Sequence, residues 1–323
     1  MVYAIIFFMK LSQIGEFGLI ELLAKEIGKP SKNVVVGIGD DAAVIQAGGG
    51  GRGAGDVYQL ITTDTLIENI HFKLKNTSFF DLGYKALAIN ISDIAAMGGI
   101  PTYALVTIGA KKNLSVKKVE ELYGGIRKAA GKHKVEIVGG DTVQAPKELV
   151  ISITLLGEVE KECLLTRSKA KIGDAILVTG EFGGPASKKY GIRNMKLEIR
   201  TKEARLIAKS GMCSSMIDSS DGLVRSVLEI CKASKVGARI WLDSIPVAKG
   251  ATLDQALYGG EEYELVFTVP RKKAVKVVRL LGGLAKTKVS IIGEIIGKKR
   301  GVKLVDVHGK VFAPKSGGYE HFK

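Results

Sequence analysis

The chain has 323 residues, with 48 lysines and arginines against 33 aspartates and glutamates, a formal charge of +15 and an isoelectric point near 9.5. Apolar residues are 46% and charged residues 25%, enough for a buried core, so a disordered chain is excluded. The length suits one large or two ordinary domains, and the positive surplus raises a nucleic-acid or membrane reading that the motifs must answer.

Residues 1–8 are apolar but too few to span a bilayer. No basic segment precedes them and no small-residue cleavage site follows, so no signal peptide is expected, and Met9 is an expected alternative start. Residues 15–28 carry Phe17, Ile20, Leu22, Leu23 and Ile27 near helical spacing. β-rich runs at 34–36 and 42–45 flank Gly37-Ile38-Gly39-Asp40-Asp41, and the glycine-rich stretch 48–55 reads as a hairpin connection. A strand at 57–61 runs into Thr62-Thr63-Asp64-Thr65. A long helical pattern over roughly 80–97 stops at Gly98-Gly99 and Pro101. A strand at 103–108, a helix at 116–130 and strands at 135–138 and 149–156 follow. The stretch 157–173, rich in charge and poor in apolar runs, reads as a linker, which divides the chain into 9–157 and 158–323. The second half alternates strands at 175–179, 214–217, 238–242, 263–269 and 289–292 with helices at 223–233 and 272–281. Such mixed alternation predicts two α/β (α+β) units.

The acids recur in one grammar: an apolar strand, one or two small residues, then a carboxylate. Asp40 and Asp41, Asp64, Asp141 after Gly139-Gly140, Asp218 and Asp221 around Ser219-Ser220, and Glu261 and Glu262 after Gly259-Gly260 all follow it. Each alone is an ordinary turn, and Asp218, Ser220 and Asp221 alone read as helix caps. Asp93 differs, because it sits on an apolar helix among Ile91, Ile94, Ala95 and Ala96, where an unpaired carboxylate is costly. Repeated along one chain, these acids point to hard divalent cations, which take oxygen ligands. Cys163, Cys213 and Cys231 form no CxxC pair and read as small buried hydrophobes in a reducing compartment. The chain has neither GxxxxGK[ST] nor GxGxxG at a strand–helix junction, and Gly180-x-x-Gly183-Gly184 is a weak phosphate-loop signal that reads as a turn.

The motifs in order resemble the thiamine-monophosphate kinase family. They are Gly37-Ile38-Gly39-Asp40-Asp41-Ala42-Ala43-Val44, Thr63-Asp64-Thr65-Leu66 with His71-Phe72, and Lys85 through Gly98 with its Asn90-Ile91-Ser92-Asp93 core. They continue with Gly139-Gly140-Asp141-Thr142, Leu165-Thr166-Arg167-Ser168, Ile217-Asp218-Ser219-Ser220-Asp221-Gly222-Leu223, Gly259-Gly260-Glu261-Glu262-Tyr263-Glu264-Leu265 and Gly318-Tyr319-Glu320-His321-Phe322. The resemblance implies a two-domain aminoimidazole ribonucleotide synthetase-like fold, shared with selenophosphate synthetase. In it an N-terminal α/β domain forms a homodimer and a C-terminal α/β domain closes over the nucleotide. It implies a cytoplasmic enzyme that transfers a phosphoryl group directly from ATP to thiamine monophosphate, with several Mg²⁺ ions. By the same resemblance Asp41, Thr62, Thr63, Asp64, Asp93, Asp141, Asp218 and Asp221 are expected as metal ligands. Tyr123, Gly140, Asp141, Arg167 and Ser220 are expected at ATP, and His71, Glu261 and Tyr319 at thiamine monophosphate. Taken singly, Arg167 reads as a surface cation, His71 as a strand-end histidine and Tyr319 as a C-terminal anchor.

Three departures stand out: Glu262 where the family has Asp, Ser316 in place of an aromatic, and a short basic stretch at 188–209 where the family has proline. Another ATP-using enzyme of the same superfamily is the nearer alternative, opposed by the motifs at 259–265 and 318–322. Nucleic-acid binding fits poorly, since aromatics are only 6% and the basic runs at 271–279 and 298–303 read as solvated faces. Neither a nucleic-acid nor a membrane partner is expected.

Overall fold

A computed structural model describes residues 10–46, 56–187 and 197–322. The alternative start at Met9, the glycine-rich stretch 48–55 and part of the basic stretch, 188–196, lie outside the described residues. The first half begins with helix α1 (Leu11–Ile27), followed by strands β1 (Val34–Val36), β2 (Ala43–Gln46) and β3 (Val57–Ile67). Helix α2 (Phe79–Ala96), strand β4 (Ile100–Ala110), helix α3 (Val116–His133) and strands β5 (Glu136–Gln144) and β6 (Val150–Glu160) complete it. Among the described residues these strands form one sheet in the order β1-β2-β3-β6-β4-β5, antiparallel except for the parallel pair β4–β5.

Strand alternation gives this sheet two unlike faces. Leu60, Thr62 and Leu66 of β3, Ile151, Ile153 and Leu155 of β6, and Ala104, Val106 and Ile108 of β4 are buried on the face that packs against α2. Thr63 and Thr65, with Tyr103 and Leu105, lie on the other face and are exposed. Helix α2 is buried nearly all round, between the sheet and other helices, and its few buried polar groups, Lys85, Asn90 and Ser92, all find partners. It meets α3 at very close range: a Cβ on Gly83 would lie 1.9 Å from the Leu122 carbonyl oxygen, and one on Gly125 would lie 1.9 Å from that of Phe80. Ser78 caps α2 by accepting the Asp81 amide at 3.0 Å.

The second half holds β7 (Asp174–Thr179), helix α4 (Thr201–Lys209), β8 (Ser215–Asp218), helix α5 (Leu223–Ser234) and β9 (Gly237–Trp241). Helix α6 (Leu253–Tyr258), β10 (Leu265–Pro270), helix α7 (Ala274–Leu284), β11 (Val289–Ile296), β12 (Val302–Val305) and β13 (Val311–Phe312) follow. Its sheet runs β13-β12-β9-β11-β7-β10-β8. One hydrophobic cluster joins residues of both halves, including Ile91, Met97, Ile207 and Met216, and another lies within the second half alone. No helix among the described residues is long and apolar enough to cross a membrane.

Several expected boundaries move. β3 does not end at 61 but continues to Ile67, so Asp64 lies within a strand. β5 likewise takes Gly139-Gly140-Asp141 into the strand rather than into a turn after it. The reason is pairing: residues 62–67 of β3 are matched one to one by 150–155 of β6, and 139–144 of β5 lie beside 105–110 of β4. The first residues of the expected linker, 157–160, belong to β6. Cys163 and Cys231 are buried, Cys213 is half-buried and all three are free thiols, as their spacing suggested.

Candidate active site

Four elements bring carboxylates to one point. Asp41 follows the turn between β1 and β2, Asp93 comes from α2, Asp218 ends β8 and Asp64 stands on β3 beside them. Carboxylate oxygens of Asp41, Asp93 and Asp218 all lie within 4.8 Å of one another. Neighbours hold them. Thr62 Oγ1 donates to Asp93 at 2.6 Å, Ser92 Oγ to Asp218 at 2.5 Å, and Asn90 Oδ1 accepts the Asp64 amide at 3.0 Å. Arg167 donates from Nη2 and Nε to Asp41 at 2.5 and 3.2 Å, and its backbone amide donates to Asp40.

Such crowding opposes ionisation. Burial first, then the neighbouring acids, push Asp218 up to about 8, Asp40 to about 7 and Asp93 well above the carboxylate range. Burial also raises Asp64 and Asp221 to about 6 each. Burial works against the charge of Arg167, but Asp41 and Asp40 outweigh it and the guanidinium stays protonated. Asp41 Oδ2 is buried with no hydrogen-bond partner. One guanidinium does not neutralise this set, and an unpaired buried carboxylate oxygen beside two more acids is the donor set a hard divalent cation takes. The residues present therefore fit such an ion.

Two cavities open beside the acids. The larger, about 760 Å³, is lined by Asp41, Thr62, Thr63, Arg167 and Asp218. The smaller, about 400 Å³, is lined by Asp64, His71, Glu261 and Tyr319. Ser220 and Asp221 line both, so the two spaces meet at the segment after β8. In the smaller cavity the Ile67 amide donates to His71 Nδ1 at 3.0 Å, which leaves the proton on Nε2. That proton points at His321 Nε2 at 3.3 Å, and His321 Nδ1 then donates to the Tyr319 hydroxyl at 3.3 Å. Burial and His321 both lower the His71 pKa, keeping the ring neutral.

Most of the residues singled out in the sequence thus converge: Asp41, Thr62, Asp64, Asp93, Asp218, Asp221, Arg167 and Ser220 around the acids, and His71, Glu261 and Tyr319 around the smaller space. Four do not join them within one chain. Thr63 borders the larger cavity, but its side chain is exposed on the face of the sheet turned away from α2 and its hydroxyl donates to the Ile153 carbonyl at 3.2 Å. Asp141 pairs across β5 with Thr107, whose face is the one turned away from α2, and Asp141 is exposed there. Gly140 is exposed on the same strand at φ 153°, and a Cβ there would lie 1.8 Å from the Val106 carbonyl oxygen, so only glycine fits. Tyr123 packs half-buried on α3. The capping role open to Asp218, Ser220 and Asp221 is not used, since α5 starts after Gly222 with no side-chain cap. Glu262 is buried, accepts the Gly183 amide at 2.9 Å, and is pushed by burial to about 7. Ser316 is exposed and turns the tail by accepting the Gly318 amide.

Sequence reading assigned no role to Lys85, Glu16 or Arg225. Lys85 pairs with Glu261, Glu16 Oε2 accepts the His321 amide at 3.0 Å, and the Arg225 guanidinium stacks 4.1 Å from the Phe17 ring centre. Each contact joins segments far apart in the chain, and no local pattern signals it.

Residues 39–159 match the family model for the N-terminal domain of AIR synthase related proteins, and 171–306 match that for their C-terminal domain. A thiamine-monophosphate kinase of Bacillus subtilis is 33% identical over 90% of this chain and 94% of its own length. The chain belongs to the thiamine-monophosphate kinase family. A kinase of that name from Buchnera aphidicola subsp. Schizaphis graminum is 35% identical over 96% of this chain and 99% of its own. Among solved structures, AaThiL complexed with AMPPCP and TMP superposes with a TM-score of 0.80 at 29% identity, covering 98% of this chain and 99% of that one. The family fold, two AIR-synthase-like α/β units, is the one described above.

Proposed function

We propose that this chain transfers the terminal phosphoryl group of ATP to the phosphate of thiamine monophosphate, giving ADP and thiamine diphosphate. The observation that carries this reading is the convergence of Asp41, Asp93 and Asp218 within 4.8 Å where two cavities meet. Two anions must be joined there, and only a site able to gather positive charge among them can do it.

The larger cavity is the ATP site in this reading, with Arg167 and Ser220 at the phosphates. Arg167 spends two N–H groups on Asp41, and its Nη1 makes no hydrogen bond among the described residues, which suits a phosphate oxygen. The smaller cavity takes thiamine monophosphate, with Glu261 and Tyr319 toward the thiazolium and neutral His71 beside them. Asp41, Asp64, Asp93, Asp218 and Asp221, with Thr62, would hold Mg²⁺. Bound there, Mg²⁺ supplies charge neutralisation and a template for the phosphates. The chain's own part is to bind, orient and exclude water. A phosphate oxygen of thiamine monophosphate forms a bond to the γ-phosphorus, the bond from that phosphorus to the β–γ bridging oxygen breaks, and ADP leaves with the electron pair. No side chain is covalently modified in this scheme.

Two further parts belong to the same proposal. The chain divides functionally at 157/158, the first part holding the acids of β3 and α2 and the second closing over the substrates. Two copies associate in the cytoplasm through the open face of the first sheet, and Asp141, exposed on that face, reaches ATP only through that association. A coupled ADP-release assay with ATP, Mg²⁺ and thiamine monophosphate tests the reaction. Turnover that needs all three supports it, and none above an Asp93→Asn control sinks it.

A further inference from the structure

The loop that carries Glu261 is held in an unusual backbone state. Glu261 at φ 65° and Tyr263 at φ 52° are both left-handed although neither is glycine, a conformation that persists only when the surroundings impose it. The surroundings come from both halves of the chain. From the second half, the Ser220 and Ser219 carbonyls accept the Glu261 and Tyr263 amides at 2.6 and 2.9 Å. From the first half, Lys85 of α2 reaches across to form an ion pair with Glu261 Oε1.

The pair is asymmetric. The Lys85 side chain is 8% exposed and that of Glu261 36%. The ammonium is therefore buried behind the carboxylate, and Glu261, not Lys85, lines the smaller cavity. The second oxygen of Glu261 has no hydrogen-bond partner among the described residues. Lys85 also stands eight positions before Asp93 and four before Ile89, which lines the same cavity, so one helix face carries an acid of the central cluster and the cation behind the substrate loop.

We propose that Lys85 is a positioning residue for thiamine monophosphate, acting through Glu261. It turns one carboxylate oxygen away, leaves the other for the substrate, and offsets the charge of Glu261. The substrate chemistry requires this balance. Thiamine monophosphate carries a cationic ring and an anionic phosphate, and a bare carboxylate would attract the first while repelling the second. A carboxylate already paired with an ammonium still accepts contacts from the ring without that repulsion. This inference rests on the function proposed above.

The test is steady-state kinetics on the full chain with Mg²⁺ and ATP, for wild type, Lys85→Met, Lys85→Arg, Glu261→Gln and the double variant Lys85→Met/Glu261→Gln. Lys85→Met is expected to raise the KM for thiamine monophosphate about tenfold or more, with the KM for ATP within about twofold of wild type. Lys85→Arg restores most of the loss, because the charge returns. The double variant is no worse than the worse single variant, because both act through one carboxylate. An unchanged KM for thiamine monophosphate in Lys85→Met, additive losses in the double variant, or a parallel rise in the KM for ATP overturns the inference. If Lys85→Met does not fold by circular dichroism, Lys85→Gln takes its place, with the same expected rise and the same overturning outcomes. A wild type without turnover removes the proposed function and this inference together. A wild type that turns over beside an unaffected Lys85 variant removes this inference alone.

Discussion

At the scale of single residues, the acids at the centre of the site work against the fold that holds them. Asp41, Asp93 and Asp218 approach within 4.8 Å, and a single guanidinium, that of Arg167, pairs with one of them. Neutralising one should relieve repulsion and desolvation in the metal-free protein while removing a charge that the reaction uses. Asp93→Asn is therefore expected to raise the melting temperature of the EDTA-treated protein by a few degrees, on the order of 1 kcal/mol, and to lower turnover by about a hundredfold or more. Differential scanning calorimetry and the ADP-release assay check the two halves. The same crowding sets a pH dependence. Asp40, Asp64 and Asp218 have folded values of about 7, 6 and 8, against an unfolded aspartate near 3.9. The folded state thus binds more protons than the unfolded one between about pH 4 and 8, and stability falls as pH rises through that window. The melting temperature of the metal-free protein should decline from pH 5.5 to 8, less steeply in Asp218→Asn, and saturating Mg²⁺ should flatten the decline. A metal-free protein whose stability climbs over that range contradicts this account of the centre.

At the scale of elements, α2 is the organiser. It supplies Asp93, holds Asp64 and Asp218 through Asn90 and Ser92, and carries Lys85 to the substrate loop. Its place depends on two glycines at its crossing with α3. A methyl on Gly125 would fall 1.9 Å from the Phe80 carbonyl oxygen, which is backbone and cannot swing aside. Gly125→Ala should cost about 2–3 kcal/mol by urea denaturation, although alanine is the better helix former by about 1 kcal/mol. A stabilised variant would mean that the crossing yields more easily than its geometry says. Helix α2 was also the most legible element: the pattern at 80–97 became Phe79–Ala96, because an apolar run between a capping serine and Gly98-Gly99 has one stable form. β3 was half legible. Its β-branched run at 57–61 was plain, but Thr62-Thr63-Asp64-Thr65 looked like a turn until its partner strand, ninety residues away, paired with it. Asp41 and Asp218 stood out beside glycine- and serine-rich turns and Asp93 as a carboxylate in an apolar helix, whereas the Lys85–Glu261 pair, 176 residues apart, left no local trace.

At the scale of the whole molecule, the first sheet is finished on one face only. Its inner face is sealed by α2, while the outer face exposes Tyr103 and Leu105 beside the hydroxyls of Thr63, Thr65, Ser152 and Thr154. Exposed apolar side chains set together on a sheet, rimmed by polar groups, mark a surface that expects a cover. The same face carries Asp141 and Thr63, two of the four expected site residues that one chain does not bring to the acids. The association proposed above answers both facts: a second copy laid on this face would cover the apolar side chains and put Asp141 within reach of a site. The net charge of +15 does not supply the cover, since like-charged copies repel at long range and association must come from the face itself. Wild-type protein should therefore sediment near 69 kDa, twice the chain mass of 34.5 kDa, at micromolar concentration. Leu105→Arg places a charge in the middle of the face and is expected to sediment near 34.5 kDa with a circular dichroism spectrum like that of wild type. Under that proposal its turnover should fall about as far as that of Asp141→Asn, because each would deprive the site of the Asp141 carboxylate by a different route. A Leu105→Arg monomer with full activity would show that the open face serves something other than catalysis, and a monomeric wild type would show that it needs no second copy at all.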